Sequence, residues 1–199
     1  MARIPREFYE RHTPRVAREL LGCRLVRILE EEELVGLIVE TEAYRGARDP
    51  ASHAFRGKTS RNEVMFGPAG HAYVYFTMGM HYCLNITTEP EGTAAAVLIR
   101  ALEPITGIET MKRNRGVNDV RRLAAGPGNL TRALRIDRTL NGEDVVTSRV
   151  LFIEKGSVLR SGATSRIGVS AGAGFRWRFY AKGSEFVSKG RPSVSSQNP

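Results

Sequence analysis

The chain has 199 residues, 41% of them apolar, and carries 30 basic against 21 acidic side chains for a formal charge of +9. That length suits one compact domain with a real core, no apolar run approaches the length of a membrane span, and two cysteines, Cys23 and Cys83, cannot define a disulfide framework. The positive excess points to an anionic polymer, nucleic acid first, with a merely soluble basic surface as the alternative. The opening MARIPREFYERHTP lacks the apolar core of a signal peptide, and Glu7 and Glu10 argue against a basic targeting arm, so an intracellular protein is expected.

Thr13-Pro14 reads as an N-cap followed by proline at the first helical position. The helix RVARELLG then places Val16, Leu20 and Leu21 on one side and stops at Gly22. A strand over about Arg24 to Leu29 leads into the acidic run Glu30 to Glu33, read as a solvated hairpin turn. In the next strand, Leu34 to Tyr44, alternation sets Glu40, Glu42 and Tyr44 on one face and Leu37, Val39 and Ala43 on the other. A carboxylate on an otherwise apolar strand must be solvated, paired or used chemically.

From Arg45 to Gly67 the pattern is irregular, and loops of that length in compact domains are often binding or lid segments. Within it, Ser60-Arg61-Asn62-Glu63 has capping-box spacing. His71 to Thr77 and Met80 to Thr88 read as strands around a tight turn at Met78-Gly79. Thr93 to Leu102 forms a further strand that ends near Arg100. Short helices are expected over Ile105 to Arg113 and Asp119 to Ala124, with Asn129 capping a turn through Leu134. Val145 to Ile153, Val158 and Phe175 to Tyr180 supply later strand-like pieces. Helical crossovers are missing between the central strands, so the fold class is α+β: a single domain, residues 1–188, with a mixed, mostly antiparallel curved sheet and peripheral helices. The polar tail 189–199 is expected to be disordered.

Glu42 is the first candidate for a catalytic carboxylate, with Arg100 to orient or balance it; Glu40 competes for the role, and a structural ion pair would explain the same residues. His53 in the basic loop and Tyr73, Tyr75 and Tyr82 on the following hairpin are suited to hold a purine, although an aromatic stripe at strand spacing is more often core. Asn85 can read a base edge or satisfy a sheet end. His71, His81 and Cys83 lie close in sequence, but His-x-Cys alone is no zinc signature. GPGNL offers backbone N–H groups to a phosphate and is a weak signal alone. Arg45, Arg48, Arg56, Lys58 and Arg61, and then Lys112, Arg113, Arg115, Arg121 and Arg122, bracket this region and are suited to a phosphate backbone.

Several stretches carry a resemblance: VETEAY, SHAFRGKTSRNEVMFGPAGHAYVY, GMHYCLNI, VLIRALEP and GPGNLTRAL. In order and spacing they resemble the alkyladenine, or 3-methyladenine, DNA glycosylases of the mammalian-type fold, from the helix before Gly22 through Arg178-Phe179-Tyr180. The resemblance implies a bacterial enzyme that frees damaged purines from double-stranded DNA by base flipping, working as a cytoplasmic, nucleoid-associated monomer with no cofactor, metal or membrane. It implies Glu42 as the catalytic carboxylate and Arg100 as the arginine near the attacking water. Tyr44, His53, Tyr75 and Asn85 are then the base pocket. A tyrosine that wedges into the duplex in one family member is replaced here by Met78, which is apolar and conformable but has no ring to stack. No lysine sits naturally beside Glu42, so no strand cleavage is expected. A binding module that releases no base, and a metal-dependent nucleic-acid hydrolase, are the competing classes.

Overall fold

Strand-forming runs in the first half of the chain become one curled antiparallel sheet, described here for residues 1–188 in a computed structural model. The tail expected to be disordered, residues 189–199, lies outside the described residues. The strands are β1 (Arg24–Leu29), β2 (Glu32–Tyr44), β3 (Ala72–Thr77), β4 (His81–Thr87), β5 (Ala96–Thr106), β6 (Leu151–Glu154), β7 (Ser161–Thr164) and β8 (Arg178–Ala181). They pair in the order β3-β4-β5-β2-β1-β6, with β8 joining β2 to β7. Every pairing is antiparallel, as hairpin connections require.

β2 is the axis of the sheet. Its 13 residues pair with β5 along one edge, while β1 and then β8 share the other edge. Ile38 faces Leu102, Glu40 faces Ala101 and Thr41 faces Ile99, so Val39 on β2 and Arg100 on β5 are the extra residues of two compensating bulges. Bulges bend a strand and re-aim the side chain at the extra residue. Residues 38–43 of β2 are all buried. Thr41 turns to the helical side, where its hydroxyl donates to the Ala17 carbonyl at 2.7 Å.

Four α-helices pack around the sheet: α1 (Arg6–Tyr9), α2 (Thr13–Glu19), α3 (Ile108–Arg115) and α4 (Pro127–Ala133). α2 lies on β2 and β5, and α4 on β4 and β5. Val16, Leu20, Leu130 and Leu134 thereby join Leu25, Ile38, Ile99 and Leu102 in one fully buried cluster. Each such side chain contributes about 1.5–3 kcal/mol on burial, so truncating Leu102 to alanine would cost about 2–5 kcal/mol.

Several local expectations are corrected. Thr13 is the first residue of α2 rather than its cap. Glu89 takes over the capping role from a distant turn, accepting from the Thr13 amide at 3.1 Å and from its hydroxyl at 2.5 Å. β5 continues through Thr106, because the helical stretch starts only after Gly107, a left-handed residue at φ +72°; Arg100 therefore sits mid-strand. Gly126 precedes α4, and Asn129 lies inside the helix, donating to the Ala125 carbonyl. β6 is confined to Leu151–Glu154, β8 begins only at Arg178, and Val158 is exposed outside any strand. β7, built from the small residues SGAT, had no sequence signal.

The long loop is ordered by its own small core. Ala54 and Met65 pack with Tyr73, Ala94 and Ala96 against the sheet. A 3-10 turn covers Glu63–Phe66 but lacks the capping box expected at Ser60. Instead the Asn62 side chain braces the loop, accepting from the Thr59 amide (2.7 Å) and donating to the carbonyls of His53 (2.9 Å) and Gly57 (3.0 Å). The β3–β4 turn closes with the Met80 amide donating to the Thr77 carbonyl (3.2 Å), Met78 and Gly79 both lying at positive φ.

Candidate active site

Strand alternation brings Glu40 and Glu42 to one face of β2, and the bulge in β5 aims Arg100 between them. Arg100 Nε lies 3.1 Å from Glu40 Oε1, and its Nη1 lies 3.3 Å from Glu42 Oε2. Both carboxylates are fully buried and Arg100 is 6% exposed, so none of the three charges is solvated. Burial works against the Arg100 cation, but Glu42 and then Glu40 outweigh it and raise its pKa above the ordinary value. Glu42 Oε1 accepts from the Ile167 amide (2.8 Å) and Oε2 from the Tyr44 hydroxyl (2.8 Å). A carboxylate has about four acceptor positions; Ile167 and Tyr44 take two of them, while Arg100 meets Oε2 as an ion pair. Glu40 is enclosed by Arg178 and by the Ser188 amide at 2.7 Å. The ion pair weighed from the sequence is thus present, with one guanidinium serving two carboxylates.

Tyr44 and Arg100 line a cavity of about 330 Å³. His53, Tyr75 and Asn85 line it as well, and Met78 stands at its mouth, 79% exposed. The seven residues that the resemblance picks out therefore converge, Glu42 lying directly behind the wall formed by Tyr44, Arg100 and Ile167. Tyr73, buried in the loop's core, also reaches the cavity, so the aromatic stripe is both core and lining. Its ring centroid is 5.2 Å from that of Tyr75, while His53 stands edge-on to Tyr75 at 4.5 Å. His53 Nδ1 is 3.0 Å from the Tyr73 hydroxyl. Burial, helped by nearby Arg61, lowers the His53 pKa and so favours the neutral ring. Burial pushes Tyr73 up to about 12 and raises Tyr75 too, keeping both as phenols. Burial followed by the Glu42 charge raises Tyr44 well above its usual value, so its hydroxyl stays a donor. Asn85 is anchored by donation to the Tyr73 carbonyl at 3.1 Å. Tyr82 turns away and packs on Phe76.

Part of each basic run lies near this cavity, while Arg45 is taken up by Glu89 and Lys112 by Glu109. Arg61 lies 5.2 Å over the Tyr75 ring. Beyond Arg100, Pro127 and Ile167 a polar groove of about 910 Å³ continues to Arg115, Arg121 and Arg122. Beside the hairpin tip, Met80 and His81 share a second groove with Arg113, Arg132 and Arg135. Among the described residues no three His, Cys, Asp or Glu side chains converge as metal ligands.

Two contributors were invisible in the sequence. The Ile167 amide sits in a stretch with no period, and only the fold brings it to Glu42. Next to it, Arg166 and Asp49 form a fully buried bidentate pair joining the long loop to residues 165–177. The Arg166 guanidinium also covers the Tyr44 ring at 4.6 Å and donates to the Ala43 carbonyl.

Known proteins resemble this chain over nearly its whole length. Residues 7–185 match the model of the family described as methylpurine-DNA glycosylase. A protein of Carboxydothermus hydrogenoformans is 53% identical over 189 residues, covering 94% of this chain and 98% of its own length. One from Methanocella arvoryzae is 52% identical over 194 residues, covering 95% and 97%. One from Methanoculleus marisnigri is 47% identical over 195 residues, covering 94% and 98%. All three bear the name "Putative 3-methyladenine DNA glycosylase". A match over nearly the whole chain, with the matched stretches building one site, means that the chain belongs to the methylpurine-DNA glycosylase family.

Proposed function

We propose that the chain is a monofunctional DNA glycosylase that hydrolyses the N-glycosidic bond of alkylated or otherwise damaged purines in duplex DNA, the first step of base excision repair. The observation that carries the reading is Glu42, buried against Arg100 and Tyr44 behind the wall of an aromatic cavity that opens at the Met78 turn. Family membership and the names of the relatives support the same class of reaction.

In this reading basic grooves hold the phosphates and Met78 fills the gap left by the nucleotide that rotates out. Tyr44, His53 and Tyr75 sandwich the purine and Asn85 meets its edge. Glu42 accepts the proton of a water through an acceptor position that Ile167 and Tyr44 do not take. The water oxygen bonds to C1′ as the bond from C1′ to the purine breaks, and the departing base carries away the electron pair. The Glu42 charge also stabilises the oxocarbenium character of the sugar, while Arg100 orients the carboxylate. A positively charged alkylpurine leaves readily, whereas a neutral lesion needs protonation. A Schiff-base route needs an amine, and no lysine is among the described residues that line the cavity. The enzyme is taken to act as a cytoplasmic monomer. No helix among the described residues is long and apolar enough to cross a membrane.

The test is single-turnover base release from duplexes bearing 3-methyladenine, 7-methylguanine, hypoxanthine or ethenoadenine, with a chelator present. Glu42→Gln is expected to lower the rate by about a thousandfold while lesion-DNA binding persists. Near-normal release by this variant would sink the assignment. Binding without any base release by the wild-type chain would favour a recognition module instead.

A further inference from the structure

Glu40 is a carboxylate that the proposed reaction does not use, yet it is fully buried and more heavily partnered than Glu42. Arg100 approaches it from β5 and Arg178 from β8, on opposite edges of β2. Its second oxygen accepts from the backbone amide of Ser188 at 2.7 Å. Ser188 is tied to the same cluster twice more. Arg100 Nη2 donates to its hydroxyl at 3.3 Å, and Arg178 Nη2 donates to its carbonyl at 3.4 Å. The strap that delivers Ser188 leaves β8 after Ala181, and its Phe186, like Leu159, packs against the cluster of Val39, Ala101 and Ala181. Val39 is the β2 residue displaced by the bulge, so this small apolar cluster sits beside the distortion that aims Arg100.

The guanidinium of Arg100 therefore has its Nε and Nη2 fixed by Glu40 and Ser188, and only its Nη1 edge is directed at Glu42. An arginine has five donors in one rigid plane, so fixing two edges determines the third. The charges also balance: Glu40 and Glu42 stand against Arg100 and Arg178. We propose that Glu40, Arg178 and Ser188 are positioning residues, which set how strongly Arg100 acts on Glu42 by holding its other edges. The C-terminal strap thereby closes the catalytic centre from behind. The proposal rests on the glycosylase reading above.

Charge bookkeeping predicts shifts of opposite sign. The groups facing Glu42 are Arg100 from β5, Tyr44 on its own strand and the Ile167 amide, with Cys83 on β4 and Arg166 farther out. In Glu40→Gln the Arg100 charge acts on Glu42 alone, so the acid limb of the rate profile moves to lower pH. In Arg178→Met the Glu40 charge is left to Arg100 alone, so the limb moves to higher pH. A misplaced Arg100 also lowers the single-turnover rate, by about ten- to a hundredfold in both variants. Ser188→Pro removes the amide that Glu40 accepts, whereas Ser188→Ala keeps it. The proline variant is expected to lose about tenfold in rate and the alanine variant less than half that.

The experiment measures single-turnover release of an alkylated purine across pH, with affinity for a duplex containing a non-cleavable abasic analogue and the thermal midpoint followed in parallel. Opposite shifts of the acid limb, with affinity held within about threefold, support the proposal. The Ser188 variants carry it if the charge variants fail to fold. Acid limbs that stay put, with rates falling only as the thermal midpoint falls, would reduce the cluster to a structural brace and overturn the proposal. If the wild-type chain frees no base, or if Glu42→Gln still does, the glycosylase reading itself has failed, and that outcome is read before any variant of the cluster.

Discussion

Met78 occupies a backbone conformation that its side chain disfavours. Its φ is +53°, in the left-handed region, and Gly79 follows at +68°. Holding a non-glycine residue there costs about 1–2 kcal/mol, and the side chain recovers little by burial because it is 79% exposed. A strained, exposed apolar residue at a hairpin tip is stability given up for reach. Met78→Gly is thus expected to raise the unfolding free energy in urea by up to about 1 kcal/mol, after allowing for the looser unfolded chain. The same variant is expected to weaken flipping, read by the emission of a fluorescent base analogue beside the lesion. Equal losses in both measurements would argue that Met78 merely supports the turn. Residue-scale roles were partly legible in the sequence. Alternation on β2 put Glu40 and Glu42 on one face but gave no reason to prefer either. What separates them is the company that distant residues provide: Ile167 for Glu42, and Arg178 and Ser188 for Glu40.

At the scale of elements, the central strands were legible because their periods and turns are local. β1 was expected with its observed ends, and both hairpin turns fall where the acidic run and Met78-Gly79 put them. The bulge at Arg100 was not legible, since it depends on the register between two strands that are far apart in sequence. The long loop was seen as a binding segment, but its attachment was hidden: Asp49 meets Arg166 across 117 residues. That pair holds the loop to the segment that donates to Glu42 and lays a guanidinium on Tyr44. Breaking one side of a buried pair leaves the other charge unsatisfied, at a cost of about 3–5 kcal/mol. Arg166→Met is expected to destabilise the chain by that amount in urea unfolding. Asp49→Leu combined with Arg166→Met should recover most of it, because no charge is then left unpaired. Catalysis should stay impaired in the double variant, since Tyr44 has lost its cover. A double variant as unstable as the single one would show that packing, not charge, is what Arg166 supplies.

For the whole molecule, the excess of nine positive charges matters through where it lies. The cavity mouth faces Arg61, the groove beyond Arg100 holds Arg122, and the groove beside the hairpin tip holds Arg113 and Arg132. All four side chains are exposed, so they can exchange a hydration shell for phosphate without the penalty of uncovering buried charge. Each phosphate neutralised releases condensed counterions and contributes about −0.9 to the slope of log affinity against log salt on duplex DNA. Four such contacts give a slope of about −3.6. Arg132→Gln, beside the hairpin tip, should flatten that slope by about 0.9 and weaken undamaged and damaged duplexes alike. Glu42→Gln should leave the slope unchanged, because Glu42 is buried behind the cavity wall. Fluorescence anisotropy over a salt series with both duplexes distinguishes the two. If Arg132→Gln weakened only the lesion-bearing duplex and left the slope intact, Arg132 would be reading the flipped nucleotide, and the phosphate track would have to run elsewhere on the basic surface.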